Sequence, residues 1–377
     1  MVYGKRTSVK IVSIVGARPE FVQVAVLSPL LRERHVETLI HTGQHYDRAM
    51  SDRFFVELAI PDPEVNLGIA TVGASAQTAD MLAALAQAIA AAEPDLVIVR
   101  GDTTSTLAGA LAAKQLLLPL AHVEGGMRSY DRTMPEELNR IVADHIADIQ
   151  LVTDEAARTR LAGEGITRDV HVCGDVMFDI FLRAQESART ALDASLRALA
   201  SEPYDLVTLH RAENTDDPVR LRAIVAGFAE APRRLIWPLH PRTAARLREF
   251  AIDLPAAVAT IEPLGYLQIV ALECGARSIL TDSGGVQREA YFARVPCFTL
   301  RDTTEWTNTV DAGWNRLLGA STADIRTALE AAPDVPQAHP PLFGDGTAAR
   351  RIVAALEEPA TQRIVARAAE VRRARGR

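Results

Sequence analysis

The chain has 377 residues, which at about 150 residues per domain suggests two globular domains. Hydrophobic residues make up 48% and charged residues 24%, the balance of an ordinary globular chain and not of a disordered one. A formal net charge of −7 removes any general attraction to nucleic acid or anionic lipid, so a phosphate must be held by a few local Arg, His and backbone N–H groups.

At the start of the chain, Lys5, Arg6 and Lys10 precede a short apolar run at 11–17, closed by Arg18, Pro19 and Glu20. The run is too short to span a membrane and reads as a strand, not a targeting sequence. Similar runs without alternation follow at 36–41, 95–99, 119–123, 148–152, 205–209, 277–281 and 296–300, with helical patterns between them. Runs of this kind predict strands buried on both faces, hence parallel strands under helices. The Ala-rich stretch at 81–92, broken by Glu93 and Pro94, predicts a soluble helix. The repeating β-α order predicts an α/β fold with doubly wound sheets, and a single sheet would need about a dozen strands, so two sheets are expected. A charged helix over 181–200 leading into Ser201-Glu202-Pro203 sets the boundary, giving domains 1–182 and 183–355. From Ala360 onward the Arg- and Ala-rich tail reads as a surface helix. Cys173, Cys274 and Cys297 are sparse and form no CxxC, which fits a reducing cytosol and argues against a disulfide framework or a zinc ribbon. No HExxH, Cys/His cluster or EF-hand loop is present, so no metal is expected.

Ligand sites in open α/β sheets lie at the carboxyl ends of strands. Polar clusters follow the strands directly: Gly16 to Glu20, Thr42 to His45, Arg100 to Thr106, Glu124 to Arg128, His210 to Asn214 and Asp282 to Gly285. Their equivalent placement implies one cleft between two domains. Asp282-Ser283-Gly284-Gly285 opens a helix whose N-terminal N–H groups and dipole suit a phosphate, although plain N-capping by Asp or Ser also explains the residues. Glu289, one turn in, either accepts from ribose hydroxyls or faces solvent beside Arg288. Asp102 either caps the helix starting near Thr103 or serves chemistry. Glu124 sits in a tight turn with no capping function. Thr133-Met134-Pro135-Glu136-Glu137 is a helix start whose acids the macrodipole alone would explain. His210 beside Arg211 reads as a catalytic or phosphate-contacting group, and His240, in Pro238-Leu239-His240-Pro241-Arg242, repeats the arrangement at the next strand end.

Eight segments, GARPEF, HTGQHYD, GDTTSTLAGALAA, HVEGGMRS, MPEELNR, LHRAEN, LTDSGGVQREA and RDTTEW, fall in order between residues 16 and 306. In this set the chain resembles the non-hydrolysing UDP-N-acetylglucosamine 2-epimerase family. It is especially similar to the branch that includes the 2-epimerases of UDP-2,3-diacetamido-glucuronate. The resemblance implies a GT-B-like fold of two Rossmann-like domains, with a C-terminal helix (356–377) returning to the first domain, and a cytoplasmic homodimer. It implies a reaction without cofactor: the sugar carbon-2 proton is removed as UDP leaves the anomeric carbon, and UDP adds back to the 2-acetamidoglucal with protonation on the opposite face. By family position Asp102, Glu124, Glu136 and His210 are catalytic. Arg18, His240, Ser283, Gly284, Gly285, Glu289 and Arg301 are set to bind the UDP-sugar, and Gln44 and His45 fall in the loop where bacterial members bind a second, activating UDP-GlcNAc. There are departures. Gln23 stands where lysine is usual, Tyr46-Asp47-Arg48-Ala49 replaces Arg-Glu-Met-Leu, and Trp306 and Thr307 replace Arg and Pro, as in the diacetamido-uronate group. UDP-GlcNAc to UDP-ManNAc is the default reading. A modified UDP-sugar, a hydrolysing reaction releasing ManNAc and UDP, a glycosyltransferase, and a silent UDP-sugar-binding protein are the alternatives.

Overall fold

The computed structural model describes residues 8–44, 57–188, 190–331 and 335–375. Residues up to Ile180 together with Phe343 onward form one compact unit, and Phe181–Leu342 form a second. The first unit therefore resumes at Phe343, earlier than the second-domain end expected at 355.

The first unit contains, in order, β1 (Lys10–Val15), α1 (Arg18–Arg32), β2 (Val36–His41), β3 (Val65–Asn66), α2 (Ala74–Ala92), β4 (Leu96–Arg100) and α3 (Thr104–Gln115). It continues with β5 (Leu120–Gly125), α4 (Pro135–Ile146), β6 (Ile149–Val152), α5 (Glu155–Gly163), β7 (Val170–Val172) and α6 (Val176–Ala188), within which the division falls. The second unit has α7 (Ala194–Leu199), β8 (Tyr204–Thr208), α8 (Ala212–Thr215), α9 (Pro218–Gly227), β9 (Arg234–Pro238), α10 (Pro241–Glu249) and β10 (Val258–Ile261). Then come α11 (Tyr266–Gly275), β11 (Ile279–Thr281), α12 (Gly284–Phe292), β12 (Cys297–Thr299), α13 (Thr307–Asp311), β13 (Asn315–Leu317) and α14 (Thr322–Glu330). Helices α15 (Ala348–Leu356) and α16 (Pro359–Ala374) belong to the first unit.

Among the described residues the strands form a sheet ordered β3-β2-β1-β4-β5-β6-β7 and another ordered β10-β9-β8-β11-β12-β13, all pairings parallel. The burial pattern explains the unalternating runs. In the second unit Val207, Leu235, Trp237, Leu280 and Phe298 pack on one face, while Leu206, Ile236, Ile279 and Cys297 pack on the other. The first unit buries Val12, Ile14, Val97, Val99 and Leu120 against the Ala-rich helices α2 and α3.

The order of each sheet reverses once, between β1 and β4 and between β8 and β11. Those switch points are where open α/β sheets expose backbone ends to a ligand. The helix expected over 181–200 is instead two: α6 ends at Ala188, and the Asp193 carboxylate, accepting from Leu196 N at 2.9 Å, starts α7 afresh. No described helix is long and apolar enough to cross a membrane.

Candidate active site

In the first unit the site builds from the ends of β1, β4 and β5. Glu20, in the first turn of α1, accepts from Gly16 N at 2.6 Å and Ala17 N at 2.8 Å. Its other oxygen accepts from Thr103 Oγ1 at 2.7 Å and Thr106 Oγ1 at 3.2 Å, so one buried carboxylate joins the starts of α1 and α3. Burial pushes the Glu20 carboxyl up, against the donors from Thr103, Ala17 and Gly16 that favour its charge.

Asp102 does not cap α3. Thr103 does, accepting from Thr106 N at 3.2 Å, because its own backbone is extended there and its hydroxyl reaches the third helical N–H. Asp102 is left partly exposed, with its carboxylate accepting from Arg140 Nη2 and its carbonyl from Asn139 Nδ2 at 2.8 Å. Both donors lie on α4, which so fixes the turn after β4.

Glu124 is not in a turn beyond its strand but inside β5, at a bulge where the register with β6 slips between Val123 and Gly125. Its φ is 68°, a left-handed conformation costing a non-glycine residue about 1–3 kcal/mol. The bulge re-aims the side chain, and Gln23 Nε2 on α1 donates to Glu124 Oε2 at 2.5 Å. Gln23 is itself buried.

The two neighbouring acids of α4 differ. Glu137 is buried and fully used, accepting from Ser129 N at 2.8 Å, Ser129 Oγ at 3.0 Å, Tyr130 N at 3.0 Å and Arg140 Nη1 at 3.1 Å. Burial opposes its charge, but those donors prevail and hold its carboxyl low. Glu136 is half-buried in the same first turn. Arg140 joins Glu137 to Asp102, which brings Asp102 and the start of α4 together. Gln44 uses its carbonyl on Ser105 N at 3.0 Å and Ser105 Oγ at 2.7 Å, which anchors it to the α3 terminus. His45 and the Arg18 side chain lie outside the described residues.

In the second unit Asp282 is the hub that sequence reasoning did not single out. Fully buried at the end of β11, it accepts from His210 N at 3.1 Å, Arg211 N at 2.9 Å and Asn214 Nδ2 at 3.2 Å. It thereby ties the loop after β8 to that after β11, and its DSGG setting was the available signal. The His210 ring is 44% exposed, with Nδ1 3.6 Å from Asp282 Oδ1 and its centroid 6.3 Å from that of His240. His240 caps α10, with Nδ1 accepting from Arg242 N at 3.2 Å.

Ser283 caps α12, accepting from Val286 N at 3.5 Å. At Gly284 a Cβ would lie 2.3 Å from Glu305 Oε1, so any side chain there must displace the Glu305 carboxylate. Arg301 is buried and donates to Glu305 Oε2 at 3.0 Å, placing this ion pair beneath the start of α12. Glu289 is buried and not solvent-facing, while the Arg288 guanidinium lies 4.3 Å from the Trp306 ring centroid. Burial, then the nearby Glu289 charge, pushes the Glu273 carboxyl well above the carboxylate range. Among the described residues no group of three or more His, Cys, Asp or Glu side chains gathers as a metal centre.

Two doubly wound units, one presenting carboxylates at its strand ends and the other a Gly-Gly helix terminus, define an α/β enzyme of the GT-B-like class. The family model described as UDP-N-acetylglucosamine 2-epimerase matches residues 30–357. The chain is 42% identical to the UDP-2,3-diacetamido-2,3-dideoxy-D-glucuronate 2-epimerase of Pseudomonas aeruginosa, over 91% of this chain and 98% of that one. It is 43% identical to a UDP-N-acetylglucosamine 2-epimerase homolog of Methanococcus maripaludis, over 92% and 99%. Its structure is similar to that of Methanocaldococcus jannaschii UDP-GlcNAc 2-epimerase in complex with UDP-GlcNAc and UDP, with a TM-score of 0.85, 39% identity and coverage of 92% and 99%. The chain belongs to the UDP-N-acetylglucosamine 2-epimerase family and is an isomerase.

Proposed function

We propose that this isomerase inverts carbon 2 of a UDP-linked 2-acetamido sugar, interconverting UDP-GlcNAc and UDP-ManNAc. The observation that carries the reading is the convergence of Asp102, Glu124 and the start of α4, bearing Glu136, at the carboxyl edge of one sheet. A carbon-2 proton is weakly acidic, so its removal is coupled to a leaving group. One carboxylate takes the proton, the C–H pair becomes the C1–C2 double bond, and the C1–O pair departs with UDP. UDP then re-adds through oxygen to carbon 1 while a second acid protonates carbon 2 on the other face.

The second unit's residues act on the nucleotide. Ser283, Gly284 and Gly285 at the α12 terminus receive the diphosphate, Glu289 the ribose, and His210, with His240 and Arg301, supports the charge growing on UDP. Arg18 is assigned to binding the UDP-sugar. Gln44 and His45 are assigned to a second, activating nucleotide site, although the Gln44 carbonyl is already engaged by Ser105. The enzyme works without cofactor, as a cytoplasmic homodimer. Free Cys173, Cys274 and Cys297 suit a reducing compartment.

A second reading, that the sugar is a 2,3-diacetamido-glucuronate, is favoured by the P. aeruginosa relative and by Trp306 and Thr307. NMR of the purified protein with UDP-GlcNAc, UDP-GalNAc and the diacetamido-uronate separates them. Interconversion of UDP-GlcNAc and UDP-ManNAc supports the first reading and turnover of the uronate alone the second. Free UDP accumulating with free sugar identifies a hydrolase and overturns both.

A further inference from the structure

One ionisable group of the first unit has no part in the chemistry above. His122 lies on β5, fully buried, two residues before Glu124. Its Nδ1 is 2.7 Å from Asp144 Oδ1, and its Nε2 is 2.8 Å from the Gly101 carbonyl oxygen. Asp144 also accepts from Gly126 N at 3.1 Å and from Arg128 Nη1 at 2.6 Å, the environment of a carboxylate. Arg128 is held in turn by both oxygens of Glu164, at 2.8 and 2.7 Å. A carbonyl oxygen and a carboxylate can only accept, so each nitrogen of the ring carries a proton and His122 is an imidazolium.

We propose that His122 is a positioning residue for the Asp102 and Glu124 carboxylates, a buried cation that ties the turn carrying one to the bulge carrying the other. The inference rests on the reading of those two side chains as acids of the reaction. Gly101, immediately before Asp102, gives its N–H to the Val123 carbonyl at 3.0 Å and receives His122 at its own carbonyl. The Asp102 turn is thus bonded to β5 through both of its polar backbone groups. Asp144, holding His122 with one oxygen, holds Gly126 with the other, so one Asp–His unit grips the backbone on the far side of Glu124 as well.

Charge adds to this geometry. The charged groups set against the ring are Asp144 from α4, with Arg128 behind it, and Glu124 from β5 itself. Burial works against the charged ring, but the attraction and hydrogen bond of Asp144, the Gly101 carbonyl and Glu124 outweigh it and raise its pKa. A cation fixed there attracts the Glu124 carboxylate two residues along the strand.

Two measurements decide it. In nitrogen-15 spectra of histidine-labelled wild-type protein, both ring nitrogens of His122, assigned by its loss in His122→Gln, stay protonated through the pH range in which an ordinary histidine loses its proton. In kinetics, His122→Gln keeps a donor for Gly101 and loses Asp144, while His122→Asn keeps a donor for Asp144 and loses Gly101. Both lower kcat by about 100-fold with KM changed less than about threefold, the signature of misplaced reacting groups and not of lost substrate contact. A neutral ring, a titration at the ordinary histidine value, kcat left unchanged in folded variants, or a loss confined to KM overturns the proposal. The spectra need no turnover and no folded variant beyond the one used for assignment, which Asp144→Asn replaces by shifting the same signals. Wild-type protein that epimerises no substrate defeats the functional reading alone; turnover with a neutral His122 defeats this one alone.

Discussion

Gln23 shows how a residue's meaning changes between sequence and fold. In sequence it reads as a lysine lost from the family pattern, a missing charge near Arg18. In the fold it is an amide buried against Glu124, donating to Oε2 at 2.5 Å, with its own Oε1 lacking a partner among the described residues. An amide suits both protonation states of a carboxyl, since its N–H donates to the anion and, after a flip, its C=O accepts from the acid. An ammonium suits the anion alone. Gln23→Lys therefore favours the Glu124 carboxylate and moves the acid limb of the kcat/KM profile to lower pH. A limb that stays in place contradicts the assignment. The role of Gln23 was illegible because it depends on a contact 101 positions away, across a bulge that no local pattern announces.

At the scale of elements, the N-terminus of α12 carries the nucleotide argument. Ser283→Ala removes the cap at a cost of about 1 kcal/mol in stability, read from urea unfolding, and weakens UDP binding, read by calorimetry. Gly284→Ala, a change that favours most helices, is destabilising here because the new Cβ meets Glu305 Oε1. A more stable variant with unchanged UDP affinity would remove the close approach from the account. The central strands were plain in the sequence, since burial on both faces leaves a continuous apolar run. The strands that no run foretold are β9, which is interior, and β3, β7, β10 and β13, the four sheet edges, which have one neighbour each and are partly exposed. Likewise the split between α6 and α7 turns on the single cap Asp193, which a helical composition hides. The motif acids were readable by type and order, but the separation of Glu137, spent on Ser129 and Tyr130, from Glu136 beside it needed the three-dimensional turn.

For the molecule as a whole, each unit places its polar cluster at the switch point of its own sheet, and the stability of the first unit depends on the charges that hold its cluster. Burial works against the Asp144 charge, but His122 and Arg128 prevail and hold its carboxyl below the usual range. A depressed carboxylate contributes stability above its unfolded value and loses it as pH falls through the folded value. The difference in urea midpoint between wild type and Asp144→Asn, reflecting about 3–5 kcal/mol for a broken buried pair, is accordingly full at neutral pH and shrinks in acid below the ordinary Asp range. A difference that persists undiminished there refutes the ion pair. Saturating UDP stabilises the protein, by about 2.7 kcal/mol at 100 times its Kd, with amide protection centred on 210–214 and 283–290. Protection absent from those segments would move the nucleotide elsewhere. The most direct test of the chemistry is turnover in deuterium oxide followed by proton NMR of the early product. Removal and return of the carbon-2 proton by protein acids that exchange with solvent puts deuterium at that carbon in the 2-epimer, whereas a 2-epimer retaining only its original hydrogen contradicts the account.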